Sequence, residues 1–339
     1  MADRGRSGYQ WGPFAPPPFA AHLPIAGGVT YRFGPDEVTF EGGRFATEHT
    51  GVAFQGSTAW GERSRFSFHV VSDDWQESDQ LLAGIITDFG SPTGVVAFGG
   101  SGEFDGTMTG TFRRPRVEGD FSGEDLRAWD TVWGAGRGHI VVENGYVRVT
   151  DSLVRLGASE IRAEGLFSLG YPRQDGGDEI DARFRVTRRD LDGLRHAFQI
   201  DEYPVTGLLS GEFHLTGEYE RPIGFGGMTI DGGLAYGEPF QTATASLRFD
   251  GTGVRLDGIE IAKGGGTMTG AAFVGWDSTY SFNVAGRRLP METIAMFKYP
   301  RAPLTGLAEF TAAGSGTFDA PRNDVRFRVD GLFVAEEGV

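Results

Sequence analysis

The chain has 339 residues, 54 of them glycine and 27 phenylalanine, no cysteine, and a formal net charge of −15 at pH 7. A surface this acidic repels nucleic acid and anionic lipid headgroups, so neither is expected as an electrostatic partner. The lack of cysteine excludes disulfides, thiolate metal ligands and a thiol nucleophile. The sequence contains no apolar run of about 18 residues, so no transmembrane segment is predicted in this chain.

Residues 1–29 form a segment rich in proline and glycine. Its apolar residues are interrupted by Pro13 and by Pro16, Pro17 and Pro18, so no signal peptide is predicted. Two origins remain open at this point: a cytosolic protein, or an internal piece of a longer, exported chain.

From residue 65 onward, apolar and polar residues alternate in many short stretches. This period of two is typical of antiparallel strands with one apolar face and one solvated face. The apolar members of five such stretches are Phe66, Phe68 and Val70; Ala182, Phe184 and Val186; Ala245, Leu247 and Phe249; Tyr280, Phe282 and Val284; and Val325, Phe327 and Val329. The alternation predicts an all-β fold built mostly of antiparallel sheet.

Helical spacing is confined to short segments. Residues 74–86, 188–198 and 289–297 are predicted as short helices, opened by Trp75, Leu191 and Leu289 respectively, and residues 123–133 are a weaker candidate.

The strands and helices recur in a fixed order. Each predicted helix is followed by a proline-glycine stretch, then by a glycine-rich strand, then by a closing proline. The stretches are SPTG at 91–94, PVTG at 204–207 and PLTG at 303–306, and the closing prolines are Pro115, Pro222 and Pro321. Proline ends the helix, and glycine admits a tight crossing or a bulge where the strand begins. This order predicts three modules, at 30–136, 137–242 and 243–339.

Motifs with a defined chemistry are absent from the sequence. The histidines show no metal-binding spacing, and His69 and His214 are predicted on solvated strand faces. GAGRGH at 134–139 begins like a dinucleotide loop, but it lacks the third glycine and runs into strand-like residues, so a hairpin or bulge is predicted. DGGDEID at 175–181 indicates a polar hairpin tip. No enzyme activity, cofactor or metal is expected.

The combined pattern resembles the AsmA-like/TamB (translocation and assembly module) family of Gram-negative envelope proteins. The resemblance is strongest over about 137–334, where FRVTRRDLDGLRHAFQIDEYPVTGLLSGEFHLTGEYERP and FNVAGRRLPMETIAMFKYPRAPLTGLAEFTAAGSGTFDAP follow the same order. It implies an elongated, twisted sheet that is curled into an open groove (β-taco-like repeats) with an apolar inner face. It also implies a periplasmic position, an inner-membrane anchor and an outer-membrane barrel partner in the full-length protein. This chain shows neither the anchor nor the partner-binding end and is interpreted as an internal segment.

The resemblance implies transport of phospholipid towards the outer membrane, with acyl chains held in the groove. The candidate lining residues are the alternating apolar ones: Phe66, Phe68, Val70, Ala182, Phe184, Val186, Leu209, Phe213, Leu215, Leu247, Phe249, Tyr280, Phe282, Val284, Phe310, Phe327 and Val329. Ordinary packing within a strand core remains open as an explanation for each of them.

Two other functions stay open on the sequence. One is a scaffold for outer-membrane protein assembly or secretion, which holds client strands by β-augmentation at exposed sheet edges. The other is an adhesin-like or carbohydrate-processing β-solenoid. The sequence lacks the short repeat period of a β-solenoid and a pair of acidic residues for carbohydrate cleavage, and both features count against this alternative.

Overall fold

The computed structural model describes residues 25–60, 62–78, 99–128, 130–168, 179–197, 201, 203–219, 221–297, 304–317 and 319–334. Within them the fold is all-β and antiparallel, the sheet is not closed, and helices are few and short. The predicted fold class is confirmed.

Eighteen strands account for most of the described residues. They are β1 (Ala26–Phe33), β2 (Val38–Ala46), β3 (Thr50–Thr58), β4 (Ser64–Ser72), β5 (Gly99–Thr111), β6 (Arg114–Ala128), β7 (Thr131–Glu143), β8 (Tyr146–Leu156), β9 (Ser159–Ser168), β10 (Ile180–Asp190), β11 (Val205–Glu218), β12 (Arg221–Ala235), β13 (Glu238–Asp250), β14 (Gly253–Lys263), β15 (Gly266–Gly275), β16 (Thr279–Pro290), β17 (Leu304–Thr317) and β18 (Ala320–Val334).

The chain divides into two compact units. The first comprises residues 1–157 and 163–179, and the second comprises 158–162 and 180–339. In the first unit β1 to β8 pair in chain order, each antiparallel to the next. In the second unit β10 to β18 pair in the same way. The three predicted module boundaries remain a prediction.

The glycines of the second and third proline-glycine stretches each mark a β-bulge. The register shifts at Gly207 in β11 and at Gly306 in β17, where φ is +133° and +142°. These values lie in the region that L-residues rarely adopt, so glycine is required there. Of the two alternatives predicted from the sequence, a tight crossing or a bulge, the structure has a bulge at both positions.

A third bulge of this kind lies in the first unit. β5 shifts register at Gly100, where φ is +112°. Residues 79–98, with SPTG, Val96 and Phe98, lie outside the described residues. Gly100, Gly207 and Gly306 therefore align the three copies.

The closing prolines lie opposite a second glycine. Ten residues after each bulge (100 to 110, 207 to 217, 306 to 316), a glycine with positive φ pairs in register with the proline of the next strand. The pairs are Gly110 with Pro115, Gly217 with Pro222 and Gly316 with Pro321. The sequence spacing thus reflects one hairpin geometry, repeated three times.

The described residues contain parts of all three predicted helices. Residues 75–78 form a helical turn that begins at Trp75, and 79–86 lie outside the described residues. Helix α1 (Leu191–Ala197) begins after Asp190, whose side chain accepts a hydrogen bond from the Asp192 N–H at 3.0 Å, as expected of an N-cap. The third segment consists of two 3₁₀ turns, Met291–Thr293 and Ala295–Phe297, and Leu289 belongs to β16 instead of opening a helix.

The helix predicted at 123–133 is wrong. These residues form the end of β6 and the start of β7, with a positive φ of 49° at Asp125 and 55° at Asp130. Leu126 lies near the end of β6 and Val132 near the start of β7, so their helix-like spacing in the sequence crosses from one strand to the next. GAGRGH, predicted as a hairpin or bulge, lies within β7, whose register with β6 shifts beside Gly134.

Phenylalanine and glycine are paired across neighbouring strands. Phe213 lies opposite Gly226, Phe282 opposite Gly314, and Phe68 opposite Gly106. A Cβ added at Gly226 would lie 2.6 Å from Cδ1 of Phe213, and one at Gly314 would lie 2.5 Å from Cε1 of Phe282. The rings therefore occupy the space left by the missing side chains, which explains much of the glycine content.

Gly226→Ala should destabilise the protein by about 1–3 kcal/mol, because the added methyl overlaps the Phe213 ring and the Glu212 carbonyl. The adjacent Gly227→Ala is the matched control, since nothing lies within 4 Å of its added Cβ. Urea unfolding of the two variants measures the difference. Equal losses at both positions would show that the ring contact does not constrain the sheet.

Candidate functional site

In the second unit, the strand registers align apolar residues into continuous rows. Phe184 of β10 faces Phe213, which faces Gly226, and the row continues through Leu247, Leu256, Ala272 and Phe282 to Gly314 of β17. Residues in register point to the same side of a sheet. This row therefore crosses eight strands on one face.

Three parallel rows flank it between β11 and β17. From strand to strand, one contains Leu209, Ile230, Ala243, Ile261, Met268, Gly286 and Phe310; one contains Gly211, Met228, Ala245, Ile259, Gly270, Val284 and Ala312; and one contains Leu215, Gly224, Phe249, Val254, Val274, Tyr280 and Gly316. In the second of these rows, the register of β13 with β14 shifts between Ala245 and Ile259. None of these positions carries a charged side chain. Together the four rows are called the apolar face of the second unit.

The apolar face of the second unit is extensive. Six strand spacings and three two-residue steps give it an outline of about 29 Å by 20 Å. Leu209, Ile230 and Ala243 within this outline are buried, whereas most of the other large apolar side chains are half-buried and partly accessible. The face is thus a candidate binding surface.

The first unit has an equivalent arrangement. One row runs from Gly43 of β2 through Phe54, Phe68, Gly106, Gly119 and Ile140 to Val149 of β8. The next contains Phe45, Val52, Val70, Phe104, Phe121 and Gly138. These rows form the apolar face of the first unit.

All the residues predicted to line a groove lie in the described strands, with different degrees of burial. Four are buried: Phe66, Ala182, Val186 and Leu209. Phe327 is 47% exposed. The others are half-buried, so part of each side chain remains accessible: Phe68, Val70, Phe184, Phe213, Leu215, Leu247, Phe249, Tyr280, Phe282, Val284, Phe310 and Val329. Lipid contact at these positions remains a prediction.

Helical segments cover one margin of the apolar face of the second unit. Leu191 and Leu194 of α1 pack against the cluster of Leu209, Ile230 and Ala243. Ile294 and Phe297, from the 3₁₀ segment, pack in the same way on the cluster that contains Leu289 and Ala308. The row with Leu215, Phe249 and Tyr280 belongs to neither cluster. Burial is therefore greatest beside the helical segments.

Several residues of this face escaped sequence reasoning, including Leu256, Ile259 and Ile261 of β14. The register of β14 shifts between Leu256 and Ile259, where Gly258 has a φ of +60°. The bulge changes the parity of the apolar residues, so strict alternation fails across it. An Asp-Gly pair inside an apolar stretch, as at 257–258, is the signal that could have identified the bulge.

In the first unit, a polar contact fixes the helical turn at 75–78. The buried Glu77 carboxylate accepts hydrogen bonds from the Thr47 hydroxyl and, at 3.3 Å, from the His49 N–H. Burial alone would raise the pKa of Glu77, but hydrogen bonds from Thr47, Thr50 and His49 outweigh it and the pKa is lowered. The turn is thus held by an ionised carboxylate.

Histidines on the polar face lie beside aspartates of neighbouring strands. His69 of β4 faces Asp105 of β5 with Nδ1–Oδ1 at 2.7 Å, and His139 of β7 faces Asp120 of β6 at 2.9 Å. The hydrogen bond to Asp120 raises the pKa of His139, and Glu118 adds to this effect. The solvated positions predicted for His69 and His214 agree with their partly exposed side chains.

One group of side chains in the described residues could hold a metal ion. Ligand atoms of His69, Glu103 and Asp105 lie within 4.8 Å of one another. The group lies on the polar face, and His69 is already hydrogen-bonded to Asp105. The cross-strand hydrogen bond between His69 and Asp105 accounts for this arrangement, so the apolar faces remain the candidate site.

No family model, curated protein or solved structure matches this chain. The resemblance to the AsmA-like/TamB family therefore rests on the order and spacing of the sequence pattern and remains a prediction. In the part of the chain that the structure describes, no helix is long and apolar enough to cross a membrane.

His139→Gln should lower stability at acidic pH and leave it unchanged at alkaline pH. Because the folded-state pKa of His139 is raised, its stabilisation is fully present below the unfolded pKa of about 6.5 and is lost as pH rises through the folded value. Urea midpoints at about pH 5.5 and 8.5 test the sign. A loss of stability in His139→Gln that grows towards high pH would contradict the raised pKa of His139. Asp120→Asn should lower stability at acidic pH in the same way as His139→Gln.

Proposed function

We propose that this chain is a segment of a bacterial envelope protein that conducts phospholipid between the inner and outer membranes along its apolar faces, without catalysis. One observation carries the proposal: four aligned rows cross seven strands of the second unit with no charged side chain among them. A sheet face of this kind needs an apolar partner, and acyl chains are such a partner.

The dimensions of the face suit acyl chains. Its width of about 20 Å exceeds the roughly 15 Å that one leaflet contributes to a 30 Å hydrocarbon core. Each CH₂ group transferred from water to the face contributes about 0.8 kcal/mol. A lipid can therefore be held by its chains alone, with the headgroup in solvent.

The repeated composition of the rows favours movement along the sheet. Glycine, alanine, phenylalanine and aliphatic residues recur from strand to strand, so neighbouring positions offer similar contacts. A lipid that moves by one strand spacing, about 4.8 Å, exchanges one set of apolar contacts for an equivalent set. No single position then traps the cargo.

A non-catalytic role follows from the chemistry of the face. Its 28 positions between β11 and β17 carry no acid, base or nucleophile apart from the Tyr280 hydroxyl, which donates a hydrogen bond to Asn323 Oδ1 at 3.0 Å. The periplasmic position, the inner-membrane anchor and the outer-membrane partner of the full-length protein are part of the same proposal, on the basis of the AsmA-like/TamB resemblance.

The test is lipid content. Protein purified without detergent should release phospholipid on organic extraction, which mass spectrometry measures. Phe282→Glu should reduce the amount of released phospholipid about tenfold or more, because burial of a carboxylate against acyl chains is energetically unfavourable. Ser281→Glu is the matched control, since Ser281 is exposed and its side chain lies on the opposite face.

Circular dichroism must show that both variants remain folded. Folded wild-type protein that carries no phospholipid and binds no apolar dye would refute the conduit. Phe184→Glu tests a second position in the same row. If Phe282→Glu and Phe184→Glu both unfold the protein while Ser281→Glu remains folded, these side chains serve core packing instead of lipid binding.

A further inference from the structure

The polar face of the second unit contains a row of aromatic and basic residues. Phe225 of β12 faces His214 of β11 on one side and Arg248 of β13 on the other. Arg248 also faces Arg255 of β14, which in turn faces Phe273 of β15. Each of these strands is paired on both sides, so the row lies in the interior of the sheet. These five residues are called the arginine row.

Phe225 presents a large apolar surface to solvent. It lies between Gly224 and Gly226, which belong to the apolar face, so its side chain points to the polar face. It is 64% exposed. Its ring meets the His214 imidazole at 81° with the centroids 5.7 Å apart, and His214 is held by Asp181 at 3.0 Å. An accessible phenyl ring beside polar side chains is a stacking surface for another ring.

Two like charges lie opposite each other in the arginine row. Arg248 and Arg255 are in register, an arrangement that opposes strand pairing. Neither forms an ion pair with another described residue, and Arg255 lies over the Phe273 ring with Cζ 5.5 Å from the centroid. The nearby Asp250 is engaged at its turn, where it accepts hydrogen bonds from the Thr252 N–H at 3.0 Å and hydroxyl at 2.7 Å. One anionic group shared by the two guanidiniums would relieve their repulsion.

A depression of about 540 Å³ adjoins Phe225 on the same face. Gly227, two residues after Phe225, leaves it open, since nothing lies within 4 Å of a Cβ added there. Its lining includes the ion pair of Arg185 and Glu212, with Nε and Oε1 2.7 Å apart. It also includes the hydroxyls of Thr187, Ser210, Thr229, Thr244 and Ser246. These groups supply both donors and acceptors, so the depression suits a small molecule with several hydroxyl groups.

We propose that the arginine row and this depression together bind an anionic saccharide. The acidic group, a carboxylate or a phosphate, lies between Arg248 and Arg255, one sugar ring stacks on Phe225, and the next sugar unit enters the depression beside Gly227. Guanidiniums bind either acid through paired hydrogen bonds. The site lies on the side opposite the apolar face, so the proposal does not depend on lipid transport.

The spacing within the site fits a ligand of two sugar units. Phe225 lies one strand spacing, about 4.8 Å, from Arg248 and about 7 Å along β12 from Gly227. The chain as a whole has a net charge of −15, so an anion is held only where positive charge is concentrated. The sugar contacts and the charge contacts are therefore both required.

Isothermal titration calorimetry at low salt tests the ligand class. The carboxylate arm compares digalacturonic acid with digalactose, and the phosphate arm compares maltose 1-phosphate with maltose. At least one acidic probe should bind about tenfold or more tightly than its neutral counterpart. The arm that responds identifies the source of the anion. Inorganic phosphate should bind more weakly than the acidic probe, because it has no ring to stack on Phe225.

Single variants separate the two parts of the site. Arg248→Gln should weaken binding of the acidic probe about tenfold, whereas Arg287→Gln, an exposed arginine of β16 outside the site, should leave it unchanged. Phe225→Ala should also weaken binding about tenfold. Its matched control is Tyr236→Ala, which removes an equally exposed ring in the turn after β12.

Gly227→Leu blocks the depression. The open space around the added Cβ leaves the strand unstrained, so binding should be lost while the urea midpoint is unchanged. Failure of folded wild-type protein to bind either acidic probe would overturn the proposal. Equal binding of acidic and neutral probes, or binding that survives both Arg248→Gln and Gly227→Leu, would overturn it as well.

Discussion

The packing of phenylalanine rings over glycines of the neighbouring strand is the contact on which the apolar faces depend. Phe213 over Gly226 and Phe282 over Gly314 leave no room for even one methyl group. A ring that occupies a neighbour's empty position lies along the sheet instead of standing up from it. The face can then remain apolar and continuous with few large side chains projecting from it. Glycine, which weakens a strand by itself, is stabilised here by the ring that covers it.

The separation of charged from apolar side chains follows from the alternation of polar and apolar residues along each strand. Every second residue faces the solvated side, where acids and bases of neighbouring strands meet as His69 with Asp105 and His139 with Asp120. Like charges in register would oppose pairing, so the opposite-charge pairs help to set the strand order. The four rows between β11 and β17 therefore carry no charged side chain and are left for a partner of different chemistry.

The sequence predicted the fold class, the antiparallel pairing and the bulges at Gly207 and Gly306, because period two and proline-glycine punctuation are local signals. It failed at the hairpin of β6 and β7, where the spacing of Leu126 and Val132 on two successive strands imitated a helix. It also failed at Gly258, where a bulge changes the parity inside a strand and concealed Ile259 and Ile261 from the candidate list. Cross-strand register, which aligns Phe184 with Phe282 in one row, depends on residues far apart in the chain and could not be derived from alternation alone.

The recurrence of bulges at Gly100, Gly207 and Gly306 has a consequence for how such a protein can change length. Removal or duplication of the segment between two equivalent bulges rejoins strands with the same parity and the same direction, so every apolar side chain stays on its own side. A cut of any odd number of residues within a strand would transfer the following side chains to the solvated side. Gene rearrangements in whole repeats are thus tolerated by this architecture, and the length of the sheet can be altered without redesign of its surface.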